Sequence, residues 1–382
     1  MSLNGERNKR ILTTHVGSLP RPDALSELMA NGETDTDEYE QTVKNAVADV
    51  VRMQTESGID IVNDGEQSKP GFVAYVSERL SGLEPIKGDA PQLNSREREA
   101  FPKFYVHGHS GTAPPRMATT SALAYCGHAA VKTDVDNLKN ALEGKDHVEV
   151  FIPSASPASF ERYQENKFYA NDDECLYALA DAMREEYLAI VGAGFMLQID
   201  DPRLAMHYML NPQKSVEECR KWAMGRVEAL NHALRGIPVE RVRHHTCYGI
   251  NMGPRVHEID FGDVVDIALS VNAGFYSFEA ANPRHEHEWR IWEDVKLPEG
   301  KAIMPGVITH SSVVVEHPEL VAERILRFAN LVGRENVIAS SDCGFASTPR
   351  SVPEVHPSIV WAKFRSLSEG AAIATRRLWG AH

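Results

Sequence analysis

The sequence predicts an α/β fold, a TIM (β/α)8 barrel, and three observations carry that prediction. Short β-type runs alternate with helical patterns along the 382 residues. Some of those runs, such as Phe195-Met196-Leu197-Gln198-Ile199, are almost continuously apolar, as strands covered on both faces are. The runs end on polar, ionisable or sulfur-bearing side chains, which a barrel gathers round one mouth and an open doubly wound sheet would scatter. Residues 1–382 therefore read as a single catalytic barrel with an insertion around residues 83–118.

The elements follow in order. Ile11–Thr14 is a first strand, broken by the turn residues Gly17-Ser18-Leu19-Pro20. Val43, Val47, Val50, Val51 and Gln54 trace one stripe of a helix over Asp37–Glu56. Gly58 stops it, and Ile59–Asn63 is a second strand leading into Asp64-Gly65-Glu66. From Leu83 to Ala118, Pro, Gly, His and charge mix without a usable period, so the stretch reads as an insertion or hairpin with a lid role. A helix is expected over Asp134–Leu142 and a third strand over Val148–Ile152.

Leu176, Leu179, Ala180, Met183, Tyr187 and Ile190 fall at helical spacing before the fourth strand, Phe195–Ile199, which ends at Asp200-Asp201-Pro202. Ser215 and Glu218 form a capping box, each satisfying an amide donor at the start of the next helix. Arg241–Cys247 is the fifth strand; in it His245 and Cys247, two residues apart, share a face. A helix over Gly262–Asn272, a sixth strand over Phe275–Glu279 and a helix over His285–Asp294 follow. The seventh strand is Ala302–Val307; Pro318 then suits a first helical turn, where its missing N–H costs nothing. Val337–Ser341 is the eighth strand, ending at Asp342-Cys343-Gly344, and a helix over Pro357–Trp379 closes the count.

A net charge of −14 argues against a nucleic-acid surface, which needs clustered Lys and Arg. No apolar run approaches a membrane span and the N-terminal stretch lacks a signal-peptide core, so a cytoplasmic protein with a small-molecule substrate is expected. Five widely spaced cysteines do not suggest a disulfide framework, and Cys175 and Cys219 read as helix core. The sequence leaves the oligomeric state open.

The eight strand ends carry Ser18, Glu66, Ser154, Asp200, His245 with Cys247, Glu279, His310 and Cys343. Among them His245, Cys247, Glu279 and Cys343 supply one nitrogen, two sulfurs and one oxygen, a donor set that suits four-coordinate zinc. Thiolate donors make the metal a weak Lewis acid, better matched to activating a substrate thiol than to hydrolysis. His285 and His287, two apart on a helical stretch, face different ways and are expected on the solvated surface.

Thr13-Thr14-His15-Val16-Gly17-Ser18-Leu19-Pro20, Gln198-Ile199-Asp200-Asp201-Pro202, His245-Thr246-Cys247-Tyr248, Glu279, Gly306-Val307-Ile308-Thr309-His310-Ser311 and Asp342-Cys343-Gly344 together resemble the catalytic half of cobalamin-independent methionine synthase. The resemblance implies a TIM barrel of the group that includes uroporphyrinogen decarboxylase, zinc held by His245, Cys247, Glu279 and Cys343, and methyl transfer from a methylated folate or a methyl carrier to homocysteine. It implies further that Glu66 and Asp200 hold the substrate ammonium, Ser18 meets its carboxylate, and His310 handles a proton near the departing donor. Two readings compete. One is an epoxyalkane:coenzyme M transferase, whose sulfonate-bearing thiol needs cations rather than Glu66 and Asp200. The other is a metal-free uroporphyrinogen decarboxylase-like barrel, in which Cys and His are core.

Overall fold

The computed structural model describes residues 3–86, 94–106, 116–250, 252–346 and 355–380. Its eight central strands are Leu12–Thr13 (β1), Ile61–Val62 (β2), Glu149–Ala155 (β3), Met196–Asp200 (β4), Val242–His245 (β5), Phe275–Phe278 (β6), Ala302–Ile308 (β7) and Ile338–Ser341 (β8). Every neighbouring pair is parallel, and the order runs β1-β8-β7-β6-β5-β4-β3-β2. The seam between β1 and β2 closes through Asp60, whose N–H donates to the Thr13 carbonyl (3.2 Å) and whose carboxylate accepts from the Thr13 N–H (2.9 Å). The Thr14 hydroxyl donates across the same seam to the Ile61 carbonyl at 3.1 Å. The fold is thus a TIM barrel.

Helices cover the outside because their apolar stripes need burial. Asp37–Glu56 starts at Thr36, whose hydroxyl accepts from the Tyr39 N–H, and buries Val43, Val47, Val50, Val51 and Gln54. Asp172–Gly192 is capped by Asn171, and Val216–Ala233 by the Ser215–Glu218 capping box. Pro318–Val332 and Pro357–Trp379 both begin with a proline in the first turn. Inside the barrel, Leu12, Ile61, Phe151, Met196, Phe275, Ala302, Met304 and Ile338 form a separate apolar plug. Strand period two then sets what lies above it. Counting up by twos from the plug gives Gln198 and Asp200 on β4, Ser277 and Glu279 on β6, Gly306 on β7, and Ser340 and Asp342 on β8. Arg243 and His245 continue β5 in the same sense, Arg243 lying over Phe151 at 3.7 Å.

Several expectations need correction. The fifth strand stops at His245, and Cys247 lies beyond it in the turn, so strand pairing alone does not align the two side chains. The helix expected from Asp134 begins at His128, after a Gly127 cap that offers no side-chain signal. Gly262–Asn272 resolves into a 3-10 turn, Phe261–Asp263, and one short helix, Val265–Leu269. Around residues 83–118 the described parts include an antiparallel hairpin, Leu80–Pro85 with Met117–Tyr125, extended by Gln164–Asn166. The lid role expected there falls in part on residues 87–93 and 107–115, outside the described residues. His285 is not on the surface: it is buried, its imidazole between Glu258 (2.9 Å) and Glu288 (2.8 Å), whereas His287 is exposed. Two carboxylates at ion-pair distance compensate its burial, and they push its pKa up to about 9 against the opposing effect of desolvation. Among the described residues no helix is long and apolar enough to cross a membrane.

Candidate metal centre and thiol pocket

His245, Cys247 and Cys343 converge at the barrel mouth, their ligand atoms all within 4.8 Å of one another and all three residues buried. The two sulfurs stand 3.4 Å apart. Two thiolates cannot share that spacing without a cation between them, so the Cys343 thiol, hydrogen-bonded to Cys247 and desolvated, is held well above its ordinary pKa. His245 Nδ1 meets the Ser277 hydroxyl at 3.1 Å, while Nε2 is buried with no hydrogen-bond partner. Burial and the neighbouring His244 and Arg243 push its pKa down to about 3. A neutral imidazole with its second nitrogen fixed by a hydroxyl and its first left bare is the form in which histidine binds metals. Two sulfurs and that nitrogen fit a soft or borderline divalent ion.

The fourth expected ligand is not in this close group, although Glu279 is near enough to act on the Cys343 thiol. Glu279 Oε1 accepts from the Tyr248 N–H (2.8 Å), and Oε2 accepts from Arg255 (2.6 Å) and Asn282 (2.9 Å). It is grouped with His310 and Asp342 instead, their potential ligand atoms lying within 4.8 Å of one another. Burial, opposed by Arg255, pushes its pKa up to about 7. Neither ring nitrogen of His310 makes a well-aligned hydrogen bond, and burial depresses its pKa strongly, so it is a neutral base. Asp342 is fixed by the Ala280 and Ala281 amides, each at 2.7 Å, and approaches Gly306 so closely that a β-carbon there would lie 2.1 Å from Oδ1. Sequence reading misses Asp342, Arg255 and Asn282. Period two from Ile338 points to Asp342, whereas Arg255 lies in an irregular loop that carries no pattern.

A cavity of about 70 Å³ opens beside the three ligands and is lined by Ser18, Glu66, Asp200, His245, Cys247 and Cys343 among others. Glu66 reaches it from a turn that the sequence builds explicitly. Asn63 Oδ1 accepts from the Gly65 N–H (2.9 Å) and Asp64 Oδ1 from the Glu66 N–H (3.0 Å), leaving Glu66 itself at φ +55°. A positive φ on a non-glycine residue stores strain, and here it aims a carboxylate at the pocket. Gly17, at φ +150°, accepts that carboxylate closely: a β-carbon would lie 2.7 Å from Glu66 Oε1. Asp200 Oδ1 is held by Gln198 Nε2 at 2.8 Å. Burial raises the pKa of both acids, and Asp200 is raised further by Glu66. Lys69, Arg21 and Arg243 oppose these shifts without cancelling them. Ser154, in contrast, faces outward, donating to Glu186 at 2.8 Å.

Parallel barrel, buried thiols and a bare imidazole nitrogen define a candidate metal centre in a TIM barrel. The family model for the catalytic domain of cobalamin-independent synthase matches residues 11–360, and the chain belongs to that family. The methionine synthase of Sulfolobus acidocaldarius is 25% identical over 351 residues, covering 89% of this chain and 87% of that protein. That of Thermococcus kodakarensis is 23% identical over 373 residues, covering 96% and 94%. The 5-methyltetrahydropteroyltriglutamate–homocysteine methyltransferase of Mycolicibacterium paratuberculosis is 25% identical over 360 residues, which span 91% of this chain but 41% of that protein. In fold, the chain superposes on a B12-independent methionine synthase from a Shewanella species, solved in complex with selenomethionine, with a TM-score of 0.74 at 20% identity over 97% of this chain and 99% of the other.

Proposed function

We propose that the chain is a zinc-dependent thiol methyltransferase that moves a methyl group from a methylated folate, or a methyl carrier, to homocysteine, giving methionine. The carrying observation is that the bare His245 nitrogen and the two cysteine sulfurs line the same cavity as the paired acids Glu66 and Asp200, both raised by burial. A thiol amino acid has a sulfur for the first group and an ammonium for the second. His245, Cys247 and Cys343 would hold zinc, with Glu279 Oε1, which keeps an uncommitted lone pair, as the neighbouring carboxylate donor. Bound there, zinc supplies stabilisation of the substrate sulfur as a thiolate at neutral pH.

The remaining work falls to the chain itself. Glu66 and Asp200 bind the ammonium and so fix the orientation of the amino acid, and Ser18 faces its carboxylate. His310, neutral at rest, would take up the proton that the substrate thiol releases and pass it to the donor nitrogen as that nitrogen leaves, since a poor leaving group needs protonation. The competing sulfonate thiol finds no match: among the described residues lining the cavity there is no Lys or Arg. Arg21 is bound to the carbonyls of Glu66 and Lys69, and Lys69 to that of Pro153.

The test is a thermal-shift series on zinc-loaded protein with homocysteine and coenzyme M, followed by an assay for methionine with methylated folate. Stabilisation by homocysteine and formation of methionine are expected. Stabilisation by coenzyme M alone would overturn the amino-acid reading.

A further inference from the structure

A second and larger cavity, about 400 Å³, meets the thiol pocket at the segment that follows β4. Its walls come from the helix Pro157–Glu161, the short strand Gln164–Asn166, and the helices Arg203–Met209 and Val216–Ala233. The two cavities are adjacent in the chain, because Pro202 lines the first and Arg203 the second. Nothing in the methyl-transfer reading uses this space.

Its electrostatics are unbalanced. Arg203 is 7% exposed, yet its Nε and Nη1 are buried without a hydrogen-bond partner, and Nη2 reaches only His207 Nδ1 at 3.5 Å. The other ring nitrogen of His207 faces Lys214 at 3.4 Å. A neutral imidazole accepts on one nitrogen only, so these two cations compete for a single lone pair. Burial and four surrounding cations push the His207 pKa down to about 3, which removes it as a further charge but not as a symptom. Arg162 and Arg116 also line the cavity, and neither side chain has a hydrogen bond or ion pair among the described residues. The acids nearby are spent or exposed. Glu161 is engaged by both Arg226 nitrogens (2.5 and 3.1 Å), Glu165 stands on the surface 3.7 Å from Lys167, and Asp172 is exposed. A flat face completes the wall: His207 stacks on Trp222 at 3.8 Å and 6°.

Buried guanidinium groups are retained where a partner satisfies them, and among the described residues Arg203 has only the long contact to His207. We propose that this cavity binds a small organic anion that presents two or more carboxylate or phosphate groups to Arg203, Arg162 and Arg116, with its body against the Trp222–His207 stack. The volume exceeds what a bare oxyanion needs. Two sources share this chemistry: an acidic arm of the donor reaching past Pro202, which rests on the methyl-transfer reading, or a separate anionic metabolite, which does not.

The test is calorimetric titration of the full chain with triglutamate and with pyrophosphate, in the native protein and in Arg162→Met and Arg203→Met. Binding of at least one probe is expected, weakened by about tenfold for each guanidinium removed and weakened again by added salt. Arg162 is only partly buried, so its variant keeps the test valid where Arg203→Met fails to fold. No binding of either probe, or equal binding to native protein and Arg162→Met, overturns the proposal. The two sources are separated by kinetics. A rise in KM of about tenfold for a triglutamylated donor, with kcat and the KM for a monoglutamylated donor unchanged, assigns the cavity to the donor. Unchanged KM values alongside weakened probe binding assign it to a separate anion. The titration reads binding whether or not the chain transfers methyl groups, so failure of that reading leaves this result interpretable.

Discussion

Strands β5 to β8 bring sulfur and imidazole to the barrel mouth in forms ready to meet a cation, whereas β1 to β4 bring two carboxylates that burial forces toward protonation. In the first half an unsatisfied atom beside the two thiols is the bare nitrogen His245 Nε2; in the second, burial acts on charge, at Glu66 and Asp200. Under the proposed function the first half would take a metal and the second an ammonium. The difference separates metal binding from amino-acid recognition, and variants in one half should leave the other's ligand in place.

The largest effect is expected from Cys343→Ser. Removing a sulfur from the trio should abolish stoichiometric zinc, checked by metal analysis after purification without chelators. The loss of affinity should exceed the roughly 10–100-fold typical of removing a supporting hydrogen bond, and turnover should fall with it. Full zinc retention in this variant and in Cys247→Ser would break the assignment of the first half.

Next come Glu66→Gln and Asp200→Asn. Losing one buried charge partner of the ammonium costs about 2–5 kcal/mol, so homocysteine binding should weaken by roughly 30-fold or more, with zinc content unchanged. Calorimetry with the zinc-loaded variants reads both. A variant that loses zinc as well would show that the halves are not independent. A smaller effect is expected of Ser277→Ala, which takes away only the hydroxyl that meets His245 Nδ1 at 3.1 Å. Zinc affinity measured by competition with a chelator should drop by roughly 10–100-fold while homocysteine still binds the zinc-saturated protein.

How much of this the sequence shows depends on the physics that places each residue. Gln198 and Asp200 are readable because β4 is regular and period two carries the inner face up from Met196. Cys343 and Cys247 are readable as metal-ligand types but not as neighbours, because both lie past their strands, where the turn rather than the pleat sets direction. Glu66 is placed by an αL backbone supported by Asp64, a device with no periodic signature. His285 escapes a sequence reading for a related reason: helical spacing says which residues share a face but not that Glu258, 27 positions earlier, folds over to bury one of them. The partly buried hairpin arm Met117–Tyr125 has small residues and mixed exposure, so neither an apolar run nor strict alternation reveals it.

The contrast between the halves also has a pH signature. For Glu66 the folded pKa is raised from 4.5 to about 7, mainly by burial, and Asp200 is raised as well. A carboxyl whose folded pKa lies above its unfolded value binds its proton more tightly in the native state. It therefore contributes stability that is full below about pH 4.5 and is lost as pH rises toward 7. At about 1.4 kcal/mol for each pH unit between those two values, the ligand-free protein should lose on the order of 3 kcal/mol from this site across the window. Homocysteine should reverse the trend, because its ammonium favours the ionised acids and so binds better as pH rises from 5 to 7. Denaturant unfolding at pH 5 and pH 7, with and without homocysteine, measures the difference, and the double variant E66Q/D200N should remove the acid-site part of it. A pH dependence unchanged in that variant would mean that the strain and burial around Glu66 serve packing rather than recognition of a cation.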